Sequence, residues 1–294
     1  MLFRLLVLGS FSCTLYSTEI DSYTSRVPDF RDGLIELNAI MNRHINGAIE
    51  AANDEGRCDD QRLRDLLQKS LGGFFWTTFE NEVIENPLID SRITEVSDSI
   101  YRDFTFFESF VLQMVPLGAI TRIGDLYIGT DKYGHFLEEG YNFFNIIHRD
   151  NGTIEDALSF GEKGEREHFG LQTTGIYSYG DLAADFDGLR FWELLVGKVG
   201  PGYPEPYVIC QNGKYKKYRS FNWKHYVTAA WDEGMNCNGY KTPEMEEKVN
   251  RRTMELGQKR GVRLTCPIAP EQCKIMIDHY GIFANRLITP KCFQ

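Results

Sequence analysis

The chain has 294 residues, 42% hydrophobic and 13% aromatic, enough for one large folded domain or a domain with an appendage. A formal net charge of −10 excludes a general nucleic-acid binder, because phosphate neutralisation needs a basic surface. P-loop, dinucleotide and G-x-S-x-G signatures are all missing from the sequence, which removes the commonest nucleotide-dependent and serine-hydrolase readings.

Residues 1–17 read as a secretory signal: Arg4 gives the positive start, Leu5 to Phe11 a short apolar run, and small or polar residues follow. The expected location is therefore outside the cytoplasm, in the periplasm or cell envelope of a bacterium, or secreted. Cys13 lacks the leucine expected three residues before a lipidated cysteine. Without Cys13, six cysteines remain: Cys58, Cys210, Cys237, Cys266, Cys273 and Cys292. An even number in an exported chain implies structural disulfides, and no CxxC pair or Cys/His cluster at zinc spacing competes with that reading. Cys266 and Cys273 are a plausible local pair; the other pairings stay open.

Helical spacing of apolar residues predicts a helix over 33–53 and a second over 59–71. Residues 74–103 mix aromatics with polar residues and read as irregular with short helices. The block 104–197 reads as helical. Within it, Phe104 to Ile120 is broken by Glu108, Gln113 and Pro116, falls short of the roughly 20 apolar residues that span a bilayer, and is expected as a buried helix. No transmembrane segment is expected after the signal. Thr153 with Asp156, and Ser178 with Asp181, match the capping pattern that opens helices. From Gly200 the composition turns to Gly, Pro, Tyr and Cys. YVICQNGKYKKY reads as a hairpin turned by Asn212 and Gly213; Thr242 and Pro243 open another helix, and a last one follows Pro270. The expected fold is mainly α: a helical domain over 18–199 carrying a polar site, and a small disulfide-stapled part over 200–294 containing a short β-hairpin.

The polar residues of the central block concentrate in two segments, GTDKYGHFLEEGYNFF and TTGIYSYGDLAADFDGLRFW. At 100° per residue, Asp131, His135, Glu138, Asn142 and Asn145 share one helical face, without the Lys or Arg that a solvated face usually mixes in. In the second segment Gly180, Ala184 and Gly188 recur every four residues, a strip on which another helix can lie close. Asp181 can be the capping acid for Ser178, but Asp185 is a poor helix former in mid-helix and needs a partner such as His135 or a cation. The two helices are expected to cross with Asp131, His135 and Glu138 facing Asp181 and Asp185. Between them, Glu165 and His168 form an E-x-x-H pair, which a charged helix end also explains. Thr173, Thr174, Ser178 and Tyr179 are potential donors, and FNWKHYVTAAWDEGMNCNGY is either an aromatic surface near the site or a core segment.

The pair DKYGHF and SYGDLAADFDG resembles a pattern of uncharacterised exported bacterial proteins, DK-x-GHF on one helix and SY-x-DL-x-A-(N/D) opening another. More distantly it resembles VanZ-type and YfiM-type envelope proteins, which pair a DK-x-x-HF helix with a later D-x-x-x-(N/D)-x-x-G helix. On that resemblance Asp131, Lys132, His135, Phe136, Asp181, Asp185 and Gly188 hold the motif positions. It covers the central quarter of the chain and implies an envelope setting and a shared polar site, with no reaction attached.

Two functions follow as expectations. One is an exported hydrolase or lyase acting on an envelope glycan or lipid, with His135, Glu138 and Asp185 catalytic; a divalent metal ion would be held by Asp131, His135, Asp181 and Asp185. The other is a non-catalytic envelope protein whose Asp/His/Glu network locks two helices together.

Overall fold

Helix α1 (Leu34–Asp54) buries Leu37, Ile40, Met41, Ile45, Ala48, Ile49 and Ala52, the three-and-four spacing that puts one stripe inside. This computed structural model describes residues 19–73, 77–168 and 170–294, and of His168 only the backbone. The expected signal, Cys13 and the His168 side chain therefore lie outside the described residues. Helix α2 (Asp60–Leu71) starts where Asp59 accepts from Arg62 N. It buries Leu63, Leu67 and Leu71, each contributing about 1.5–3 kcal/mol. Helix α3 (Thr78–Glu85) opens on a capping box formed by Thr77 and Glu80.

The block after residue 103 departs from expectation. Residues 104–119 form turns and a single 3-10 turn, Val111–Gln113, in place of a buried helix. Pro116 removes a backbone donor there. A hairpin then follows: β1 (Ile120–Ile123) pairs antiparallel with β2 (Leu126–Gly129) across Gly124 and Asp125. The β-branched ITRI and the Gly-Asp turn carry that signal in the sequence.

Helix α4 (Thr130–Gly134) leads directly into a π-helical turn, His135–Glu139, and then α5 (Gly140–His148). After α6 (Ile154–Lys163), capped by Thr153 and Asp156, come two more π turns, Gly164–His168 and Gly170–Thr174. Strand β3 (Ile176–Tyr177) then delivers the chain to α7 (Tyr179–Leu194). On α7 the small-residue strip is real. A Cβ on Gly188 would fall 2.1 Å from the Phe136 carbonyl oxygen, and one on Gly140 2.6 Å from the Gly188 Cα. The backbones of α5, the π turn and α7 therefore touch where only hydrogen fits.

In the C-terminal part, β4 (Val208–Gln211) and β5 (Lys214–Lys217) form the expected hairpin, with positive φ at both Asn212 and Gly213. Strand β6 (Gly239–Tyr240) pairs antiparallel with β3. Helix α8 (Pro243–Arg260) is capped by Thr242, and α9 (Gln272–Tyr280) and α10 (Ala284–Leu287) close the chain. The aromatic segment is core: Trp223 and Trp231 are fully buried, and with Phe136, Phe191, Phe221 and Tyr226 they belong to the same buried cluster as the inner faces of α1 and α2. Fully buried Asp187 of α7 accepts from Trp231 Nε1 (3.0 Å) and Tyr280 Oη (2.7 Å), fixing the C-terminal segments to the central helix.

Among the described residues, disulfides join Cys58 to Cys210, Cys237 to Cys266 and Cys273 to Cys292. The Cys266–Cys273 pairing expected from proximity is wrong. Cys273 sits in the first turn of α9, against the final turn that carries Cys292, whereas Cys266 lies on the 233–234 turn.

Candidate functional site

The start of the α4 helix and the start of α7 cross so that their ionisable side chains interlock. Lys132 is fully buried, and its ammonium meets Asp131 Oδ2 (2.8 Å), Asp181 Oδ1 (2.6 Å) and Glu233 Oε1 (2.6 Å). Burial depresses the Lys132 pKa, but the Asp131, Asp181 and Glu233 carboxylates outweigh it and hold the amine well above the usual lysine range. Glu233 is tied further by Asn238 Nδ2 at 2.7 Å and Ser178 Oγ at 3.2 Å. Burial and the surrounding carboxylates push its pKa to about 7 despite Lys132.

His135 spans the other side of the crossing. Its Nδ1 is 2.9 Å from Asp185 Oδ1 and its Nε2 is 3.3 Å from Asp181 Oδ2. Burial lowers the imidazole pKa, yet Asp181 and Asp185 prevail and keep it well above the normal histidine value. Burial raises Asp185 to about 7 against the pull of His135. Asp181 is also buried, but His135 and Lys132 hold it below the ordinary aspartate value.

The capping reading of Asp181 is half right. Ser178 Oγ accepts from Asp181 N (3.1 Å), but in the reciprocal bond Ser178 N donates to Glu165 Oε2 (3.0 Å). Glu165 thus takes over the acid's half of the capping box, and the Asp181 carboxylate is left for Lys132 and His135. Burial, with the Asp181 charge behind it, raises Glu165 well above the usual glutamate value.

Glu138 does not join this group. It accepts from Gln68 Nε2 of α2 (2.9 Å) and packs over Gly72, where burial raises its pKa. The cause is the π turn: its wider turn breaks the 100° phase on which the shared face was predicted. Glu139 takes the position instead. It lines a cavity of about 170 Å³ together with His135, Glu165, Asp185, Lys163 and Phe160. Two π turns, His135–Glu139 and Gly164–His168, therefore flank one cavity.

Of the expected residues, Asp131, His135, Asp181 and Asp185 come together and Glu138 faces elsewhere. Thr174 donates to Glu19 Oε1 (2.6 Å), whose carboxyl is pushed to about 8, chiefly by desolvation and then by Glu233 and Asp181. The sequence placed Lys132 only through the motif resemblance, and Glu233 only within an aromatic segment. Neither had a spacing signal, because Glu233 reaches the site from a turn about a hundred positions away. Among the described residues, two buried sets are geometrically compatible with a divalent cation, His135/Glu165/Asp181 and Asp131/Asp181/Glu233, each with ligand atoms within 4.8 Å of one another. No helix among the described residues is long and apolar enough to cross a membrane. No family model, curated protein or solved structure matches this chain.

Proposed function

We propose that this chain is an exported, non-catalytic envelope protein whose buried Asp/His/Glu/Lys network locks the central helix pair to the disulfide-stapled C-terminal part. The observation that carries the reading is Lys132, an ammonium sealed among three carboxylates contributed by α4, α7 and the 233 turn. A group at 0% exposure cannot meet a substrate without the fold opening. Such a network specifies which surfaces meet, since any other packing would leave its charges buried and unpaired. The signal-like N-terminus and the three disulfides support the exported setting. Relation to the VanZ-type and YfiM-type envelope proteins rests on the motif residues, which meet at a single helix crossing.

A second reading, a hydrolase or lyase acting on an envelope glycan or lipid, is favoured by the cavity that reaches His135, Glu165 and Asp185. One pair of variants separates the two. Lys132→Met should lower the unfolding free energy by about 3–5 kcal/mol in urea titration, because three carboxylates lose their counter-charge. The wild type should turn over nothing in an envelope extract. Turnover that Asp185→Asn abolishes without altering melting would replace the lock with the hydrolase, and a Lys132→Met protein as stable as wild type would remove the lock directly.

A further inference from the structure

The two carboxylate sets differ in what already fills them. The Asp131/Asp181/Glu233 set encloses the Lys132 ammonium, so its cation is supplied by the chain itself. Among the described residues, the His135/Glu165/Asp181 set has no such occupant.

From this contrast we infer that His135 Nε2, Glu165 and Asp181 Oδ2 form a zinc site opening onto the cavity beside α6, with Asp185 as the carboxylate that orients the histidine. Three features carry it. First, His135 presents its ring as a ligating histidine does: Nδ1 is engaged by Asp185 Oδ1 at 2.9 Å, which leaves Nε2 for the metal. Second, the 3.3 Å between Nε2 and Asp181 Oδ2 is the ligand-to-ligand distance of a tetrahedron with bonds of about 2.0–2.1 Å. Third, Glu165 is 5% exposed and lines the cavity, and among the described residues only one of its oxygens accepts a hydrogen bond, from Ser178 N.

An imidazole with two carboxylates suits zinc better than magnesium or calcium, which favour all-oxygen shells. Three protein ligands would leave a fourth position for a water or an anionic oxygen of a ligand, and two of the three, His135 and Glu165, line the cavity. The site is distinct from the Lys132 lock but adjoins it, since Asp181 gives one oxygen to each.

The test uses the mature protein with its disulfides intact, stripped with chelator and titrated with Zn²⁺ alone, read by calorimetry and by metal content after gel filtration. One zinc per chain is expected. Glu165→Gln should weaken binding about 100-fold or more, Asp185→Asn about 10–100-fold, and Glu138→Gln, which faces α2, should leave it within about twofold. Glu165→Gln preserves shape and its bond to Ser178 N, so it decides the matter if a His135 variant fails to fold; near-ultraviolet circular dichroism checks that it is folded. Absence of retained zinc, or equal affinity in wild type and Glu165→Gln, overturns the site. Either result leaves the Lys132→Met stability measurement standing as the separate test of the lock.

Discussion

Glu80 shows how a side chain placed for helix capping acquires a pH dependence. Thr77 N and Oγ1 both donate to its Oε2, at 2.7 and 2.8 Å, while its carboxyl is packed beneath Gly134. Desolvation raises the pKa from 4.5 to about 7 against those two bonds, with Asp131 adding to the rise and His135 opposing it. Between those values the folded chain keeps a proton that the unfolded chain has released. Stability contributed by this group is therefore full below pH 4.5 and falls as pH rises towards 7 and beyond. Glutamine at the same position still completes a capping box but cannot ionise. Urea unfolding at pH 5 and pH 8 should thus show a smaller loss in Glu80→Gln than in wild type; identical losses would mean that the carboxyl is not held protonated. At this scale the sequence was partly legible. Asp185 stood out because a mid-helix aspartate among small residues needs a partner, and His135 is that partner. Glu165 showed only as half of an E-x-x-H pair that a charged helix end also explains, and Glu233 only as part of an aromatic segment, since their burial depends on segments distant in the chain.

Close approach governs the central element pair. Gly188 and Gly140 meet backbone to backbone, so that a methyl group on Gly188 would collide with the Phe136 carbonyl, which no rotamer change can relieve. Gly188→Ala should cost about 2–3 kcal/mol in chemical denaturation and shift the His135–Asp185 geometry with it. Gly47 offers the control: it lies exposed within α1 with nothing among the described residues near its missing Cβ. There Gly47→Ala should stabilise by about 0.5–1 kcal/mol through helix propensity and reduced unfolded-state freedom. Equal effects at the two positions would remove the packing argument. Periodicity found α1 and α2, while cap residues marked the starts of α6, α7 and α8 and Asn212 with Gly213 marked the 208–217 hairpin. It failed over 104–129, where an apolar run bends through turns into β1, and at 135–139, where a π turn shifts the phase by one residue. A π turn leaves no mark on composition, so the exchange of Glu138 for Glu139 at the cavity was unreadable from the sequence.

For the whole molecule, the disulfides differ in what they hold. Cys58–Cys210 closes an interval of 152 residues and fastens the β4–β5 hairpin near the start of α2. In the chain-entropy picture a loop of that length contributes about 5 kcal/mol, with about 2–5 the usual measured range. The hairpin has other anchors: Asn53 bonds both the N and O of Tyr215, at 2.7 and 2.9 Å, and Tyr215 Oη reaches Asp60 at 2.8 Å. Cys237–Cys266 spans only 29 residues, but it pins the segment from 232 to 238, which carries Glu233 to Lys132 and Ser178. Its contribution to global stability should be the smaller and its contribution to the site the larger. Replacing Cys58 and Cys210 together with alanine should lower the unfolding free energy by about 2–5 kcal/mol while leaving amide exchange at Ser178 and Asp181 slow. Replacing Cys237 and Cys266 should cost less globally but speed exchange at those two amides, whose acceptors are Glu165 Oε2 and Ser178 Oγ. Slow exchange in both double variants would show that Lys132, Asn238 and Ser178 hold the Glu233 turn in place without the short staple, which would then have no part in the site.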